Sequence, residues 1–225
     1  MTFRNKKVIL FDLDGTLVDS APDLALALNH TLERMGRAPF GTETIRTWVG
    51  NGAKTLVERG LSGSSVVDDA IDAADTARAL EIFLEYYARN LCVDTETYPG
   101  VADTLCRLKA KGYRLVLVTN KPYAFIHPLL EGLEIGELFE LCLGGDSLER
   151  RKPDPMPLRH VCDTLGVAPD ACVMVGDSKN DIVAAQSAAM QSIGVSYGYN
   201  YGEPIASCGP DRVVGEFAEL LECLE

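Results

Sequence analysis

The sequence predicts an α/β protein: a parallel sheet assembled from βα units and carrying one all-helical insertion. Short apolar, β-branched runs occur at KVILFDL, YRLVLVTN, FELCLGG, CVMVGD and MQSIGVS. Most neighbouring runs are separated by enough residues for one helix, but about 90 residues follow the first run before the second begins. Continuous rather than alternating apolar residues suit strands buried on both faces, as in a parallel sheet flanked by helices.

The elements follow in order. VILF forms the first strand and runs into Asp12 and Asp14. The long interval opens with Pro22, suited to the first helical position behind Ser20 or Ala21. Leu24, Leu28, Leu32 and Met35 then recur at helical spacing until Gly36. A second helical face carries Ala79, Ile82, Phe83, Tyr86 and Tyr87, and Tyr98-Pro99-Gly100 marks the return to the sheet. Residues 18–93 are therefore expected to form a helical cap, with 1–17 and 94–225 as the core.

Composition narrows the function classes. A chain of 225 residues holds one large domain or two modest ones. It is 47% hydrophobic, yet it lacks the unbroken run of ~18 apolar residues that a membrane helix needs. The apolar stretch at the N-terminus is broken by Asp12 and Asp14 and does not read as a secretory signal, so a cytoplasmic location is expected. Seven cysteines without a CxxC pair or regular spacing fit reduced thiols, and the three histidines show no metal-ligand spacing. A net charge of -12 argues against nucleic acid or an anionic membrane as partner. An anionic small molecule must then meet a local positive site.

Open parallel sheets bind ligands beyond the carboxyl ends of their strands. Asp12 and Asp14 stand at such an end, as do Thr119-Asn120 and Gly176-Asp177, and Lys152-Pro153 lies in a loop before a helix. Each also reads alone as punctuation: Asp14-Gly15 as a turn, Thr119 or Asn120 as a cap before Pro122, Asp177 or Ser178 as another cap. Together they describe polar groups converging on one crevice.

The set DLDGT, VTN, RRKP and GDSKND closely resembles the four motifs of the haloacid dehalogenase superfamily, phosphatase branch, and the resemblance runs over the whole chain. It implies a Rossmann-like core with a helical cap inserted soon after the first motif. It further implies Asp12 as nucleophile, Asp14 as acid and base, and Thr119 and Lys152 as phosphate holders beside the Asn120 amide. Mg²⁺ is then held by Asp12, the Asp14 carbonyl and Asp177, with Asp181 as the further acid behind them. Asp154 departs from the pattern, standing where relatives often have His. The chemistry agrees with these roles. A phosphate dianion repels a carboxylate nucleophile, so the site needs a hard cation and a fixed ammonium. A single acid can protonate the leaving alkoxide and then deprotonate the hydrolytic water.

The cap stretch RTWVGNGAKTLVERGL is similar to that of bacterial phosphoglycolate phosphatases, as are DSAPDLALALNHTLERMG and RRKPDPMPL. This resemblance implies hydrolysis of 2-phosphoglycolate to glycolate and phosphate. Other small-phosphometabolite phosphatases, pyrophosphatases and phosphosugar mutases share the core motifs. Residues 34–59 hold five Lys or Arg against two acids, whereas 60–98 hold two against eight. The positive half contains the candidate readers of a second anionic group: Arg46 and Lys54, with Trp48 and Asn51 in the turn between them. Trp48 reads equally well as core, and the sequence leaves monomer and homodimer open.

Overall fold

A computed structural model describes residues 2–224. Six strands form one parallel sheet: β1 (Val8–Phe11), β4 (Arg114–Val118), β5 (Leu141–Leu143), β6 (Cys172–Gly176), β7 (Gln191–Val195) and β8 (Arg212–Val214). Their order is β5-β4-β1-β6-β7-β8, with β1 central and Val8 aligned to both Arg114 and Cys172. The chain moves outward from β1 through β4 to β5, then crosses back to β6 on the other side. The order therefore reverses beside β1, which places the ligand crevice at its carboxyl end.

Alternation along the strands divides the core into two layers. Ile9, Phe11, Leu115, Leu117, Val173 and Val175 face one side, where α5 (Val101–Ala110), α6 (Ile126–Gly132) and α9 (Leu220–Cys223) pack. Val8, Leu10, Val116, Val118, Cys172 and Met174 face the other, against α7 (Met156–Leu165) and α8 (Lys179–Ser187). β8 and α9, at the end of the chain, were not anticipated: Arg-Val-Val is too short to stand out from its surroundings.

Between β1 and α5 lie four helices: α1 (Ala21–Arg34), α2 (Thr42–Arg46), α3 (Ala53–Ser62) and α4 (Ala73–Arg89). Leu24, Leu28 and Leu32 of α1 meet Leu56, Val57 and Leu61 of α3 and Ala79, Phe83 and Tyr87 of α4 in a separate apolar cluster. Pro22 occupies the second helical position of α1, behind an N-cap at Ser20. The chain leaves and returns through a two-stranded antiparallel ribbon, β2 (Val18–Asp19) against β3 (Glu96–Thr97). Buried Asp23 fastens the start of α1 to the segment after α4, accepting from the amides of Val93, Asp94 and Thr95 at 2.9–3.0 Å and from the Thr95 hydroxyl at 2.6 Å. Among the described residues no helix is long and apolar enough to cross a membrane, and all seven cysteines are free.

Candidate active site

The site grows from the carboxyl ends of β1, β4 and β6. β1 delivers Asp12, which is buried, and the chain turns at once. Gly15 has φ +84°, and a Cβ there would run into the Asp177 carboxylate, so the turn can approach β6 only as glycine. Buried Thr119 directly follows β4, and buried Asp177 directly follows β6. The loop before α7 brings Lys152 into the same place, 3.0 Å from Asp12 and 2.7 Å from Asp181. Lys152 also donates to the Val118 carbonyl. Asp12, Asp14, Thr119, Asn120, Lys152, Asp177 and Asp181 thus meet in one crevice.

Three of these carboxylates crowd together: ligand oxygens of Asp12, Asp177 and Asp181 lie within 4.8 Å of one another. Burial pushes Asp12 up to about 7, with Lys152 opposing and Asp181 adding to the rise. Burial likewise pushes Asp177 up to about 8, reinforced by Asp181 and Asp12 and opposed by the Tyr199 and Asn200 amides. One ammonium against three buried carboxylates leaves negative charge uncompensated, and the donor set is purely oxygen. That combination fits a hard divalent cation. Asp181 sits deepest. One of its oxygens takes Lys152, and the other accepts from the amide and hydroxyl of Ser178 in a capping box at the start of α8. The spacing of Asp177 and Asp181 brings them together, although only Asp181 is on the helix: Asp177 belongs to the strand end.

Asp14 stands apart from this cluster. It accepts from the Ser20 hydroxyl at 2.5 Å and from Lys121 Nζ at 2.9 Å. Lys121, adjacent to the Thr119-Asn120 pair, is the residue that motif reading missed. It is 4% exposed and also donates to the Tyr87 hydroxyl of α4 at 2.7 Å. Burial lowers its pKa, but Asp14 and Tyr87 more than offset that, so the net shift is upward and the ammonium stays charged. The available signal was a lysine directly after a strand-end Thr-Asn. The Leu13 amide donates to Asp12 Oδ1 at 2.7 Å. Asp154, the departure from the family pattern, accepts the Met156 amide at 2.9 Å and so serves the start of α7.

The crevice is roofed by the helical segment. Val49, Gly50, Gly52, Ala53 and Leu56 line it from above with Leu24, Phe83 and Tyr87, facing Asp12, Asp14, Thr119, Asn120 and Lys121 below. The roof is pinned by a backbone carbonyl: Gly50 O accepts from Asn120 Nδ2 at 2.9 Å and Asn180 Nδ2 at 3.0 Å. Asn180 also meets the Tyr201 hydroxyl, and Tyr199 takes the Ser20 and Ala21 amides while donating to Asp19. These tyrosines come from the YGYNY run after β7, whose alternating aromatics were the overlooked sequence signal.

The cap residues expected to meet a substrate are placed otherwise. Arg46 is paired with Asp19 at 2.6 Å and lies over the Tyr199 ring. Lys54 is exposed beside Glu58 at 3.6 Å, and Trp48 is buried against Phe40 in the cap's own core. Asn51 is half-buried in the turn, and none of the four lines the crevice. The reason is geometric: the turn presents its glycines and Val49 downward and spends its cations on neighbours. Arg37 and Arg59 do the same, donating to the carbonyls of Leu61 and Trp48.

Comparison with known proteins agrees with this arrangement. Residues 9–195 match the family model of the haloacid dehalogenase-like hydrolases. A phosphoglycolate phosphatase from Colwellia psychrerythraea is 52% identical, with 100% of each chain covered. One from Escherichia coli is 44% identical over 99% of this chain and 94% of its own. A crystal structure of a predicted phosphoglycolate phosphatase from Haemophilus somnus superimposes with a TM-score of 0.90 at 40% identity, covering 97% of both chains.

Proposed function

Because the chain belongs to the haloacid dehalogenase-like hydrolases, we propose that it hydrolyses 2-phosphoglycolate to glycolate and inorganic phosphate with Mg²⁺ as cofactor. The observation that carries the chemistry is the pair at the end of β1: Asp12 beside Lys152 in the carboxylate cluster, and Asp14 two residues on but turned toward Lys121. The substrate reading rests on relatives of that name matching the full chain.

Asp12 and Asp177 would hold the metal with Asp181 behind them, and Mg²⁺ supplies charge neutralisation for the phosphoryl oxygens. The protein's own groups carry the bond changes. An Asp12 oxygen forms a bond to phosphorus as the bond to the glycolate oxygen breaks, and Asp14 gives its proton to that oxygen. Asp14 then takes a proton from water, whose oxygen attacks phosphorus, releasing phosphate and restoring Asp12. Lys152 and Thr119 hold the phosphoryl group where charge is redistributed. The apolar roof excludes bulk water, which strengthens each of these interactions.

A panel of phosphate monoesters with Mg²⁺ tests the reading. 2-Phosphoglycolate should give the highest kcat/KM among 2-phosphoglycolate, small phosphosugars and pyrophosphate, with inorganic phosphate released, and a chelator should abolish turnover. Preference for a phosphosugar, or retention of the phosphoryl group on a second sugar, would overturn it.

A further inference from the structure

A phosphoglycolate molecule has two anionic ends, and the cluster around Asp12 and Lys152 accounts for one. Apart from Lys152 at the phosphate end, Lys121 is the cation that lines the crevice among the described residues. It is set on the cap side of Asp14, fixed between that carboxylate and the Tyr87 hydroxyl. The cations of the cap itself are committed elsewhere, Arg46 to Asp19 and Arg59 to the Trp48 carbonyl. An ammonium has three donors. Asp14 accepts at both oxygens, at 2.9 and 3.3 Å, and Tyr87 at 2.7 Å, so a carboxylate in the crevice reaches the ammonium by displacing the longer Asp14 contact.

Resting on the phosphatase reading above, we propose that Lys121 is the specificity residue that binds the substrate's carboxylate, with Tyr87 of the cap positioning it. A compact point charge held from two sides suits a small carboxylate. The apolar residues that line the crevice with it, Leu24, Phe83 and Phe125, give a neutral leaving group no polar partner and keep bulk water from an anionic one. Once Asp14 is protonated, as the first step requires, the Lys121 charge is uncompensated. Because Tyr87 belongs to α4 and Lys121 to the core, the carboxylate is read only where cap and core meet. The substrate class is accordingly a phosphate ester of a short hydroxy acid, with its carboxylate close to the ester oxygen.

The experiment compares 2-phosphoglycolate with ethyl phosphate, which has a similar carbon skeleton but no carboxylate, on wild type, Lys121→Met, Lys121→Arg and Tyr87→Phe. In Lys121→Met, kcat/KM for 2-phosphoglycolate should fall about 100-fold or more, the worth of a charged hydrogen bond in a dry site. The loss for ethyl phosphate should be at least about tenfold smaller, and it reflects only the altered neighbour of Asp14. Lys121→Arg should recover part of the discrimination, and glycolate should lose its ability to inhibit Lys121→Met competitively. Tyr87→Phe should lose about three- to tenfold on 2-phosphoglycolate alone. Equal losses on the two esters in Lys121→Met would overturn the assignment while leaving the phosphatase reading intact. A wild type indifferent to the carboxylate would overturn both. Should Lys121→Met not fold, unchanged discrimination in Tyr87→Phe overturns the assignment.

Discussion

The strand ends and the helical roof handle charge in opposite ways. Below, Asp12, Lys152, Asp177 and Asp181 are all buried and press on one another. Above, Arg46 and Lys54 sit at the surface with partners of their own, and the face toward the crevice is Val49, two glycines, Ala53 and Leu56. Buried charges that perturb one another are the pattern of a functional site, whereas half-exposed ion pairs contribute little energy. The contrast teaches that a local excess of basic residues in a sequence says where charge is, not where it points.

The hardest test of the contrast is Asp12→Asn. It keeps the shape of the strand end and should cut turnover by roughly 10⁴-fold or more, with an unchanged circular dichroism spectrum. Near-normal hydrolysis by a folded Asp12→Asn protein would remove the nucleophile from the scheme. Lys152→Met leaves two buried carboxylates without their ammonium, and urea unfolding should show about 3–5 kcal/mol lost along with activity. A loss below about 1 kcal/mol would mean that the cluster is less enclosed than the burial of Lys152 indicates.

Substitutions that touch the junction should matter less. Asn180→Ala removes one of the two side-chain donors to the Gly50 carbonyl and should lower kcat/KM about tenfold, the worth of one hydrogen bond. Stopped-flow traces should place the effect on closure rather than on release of phosphate from the enzyme. Smallest of all are the cap cations. Lys54→Ala should change kcat/KM by less than about twofold, and Arg46→Ala should cost at most about 1 kcal/mol in stability. The pH dependence of the Arg46 effect is fixed in sign. Burial raises the Asp19 pKa, but hydrogen bonds from Arg46 and Tyr199 outweigh it and the net shift is downward. The difference in Tm between wild type and Arg46→Ala should thus be full at pH 7 and vanish as pH falls below about 4, through the lowered folded value. A tenfold loss of kcat/KM in Lys54→Ala would reverse the contrast altogether.

The central strands were legible because each is a short unbroken apolar run ending in a polar residue, as VILF ends in Asp12. In GDSKND the cap reading holds: Ser178 is a helix N-cap and Asp181 its reciprocal partner, and the same Asp181 also holds Lys152. What the sequence hid is long-range. The pairing of Lys121 with Tyr87 spans 34 positions, and that of Asn180 with the Gly50 carbonyl spans 130. Neither leaves a local pattern: the first joins side chains on separate elements, and the second goes to a backbone carbonyl, which places no demand on the identity of the residue that owns it.

The ribbon of β2 and β3 has one further consequence. Val18 lies beside Thr97 and Asp19 beside Glu96, so the two severed ends of the core stand next to each other wherever the intervening chain goes. An insert of another length or architecture can be spliced between the same residues while every strand of the sheet keeps its neighbours. Such an exchange would replace Tyr87 and the roof over the crevice while leaving Asp12, Lys121 and Lys152 in place, and a chimaera joined at Asp19 and Glu96 is the natural unit for separating what the insert contributes from what the sheet contributes.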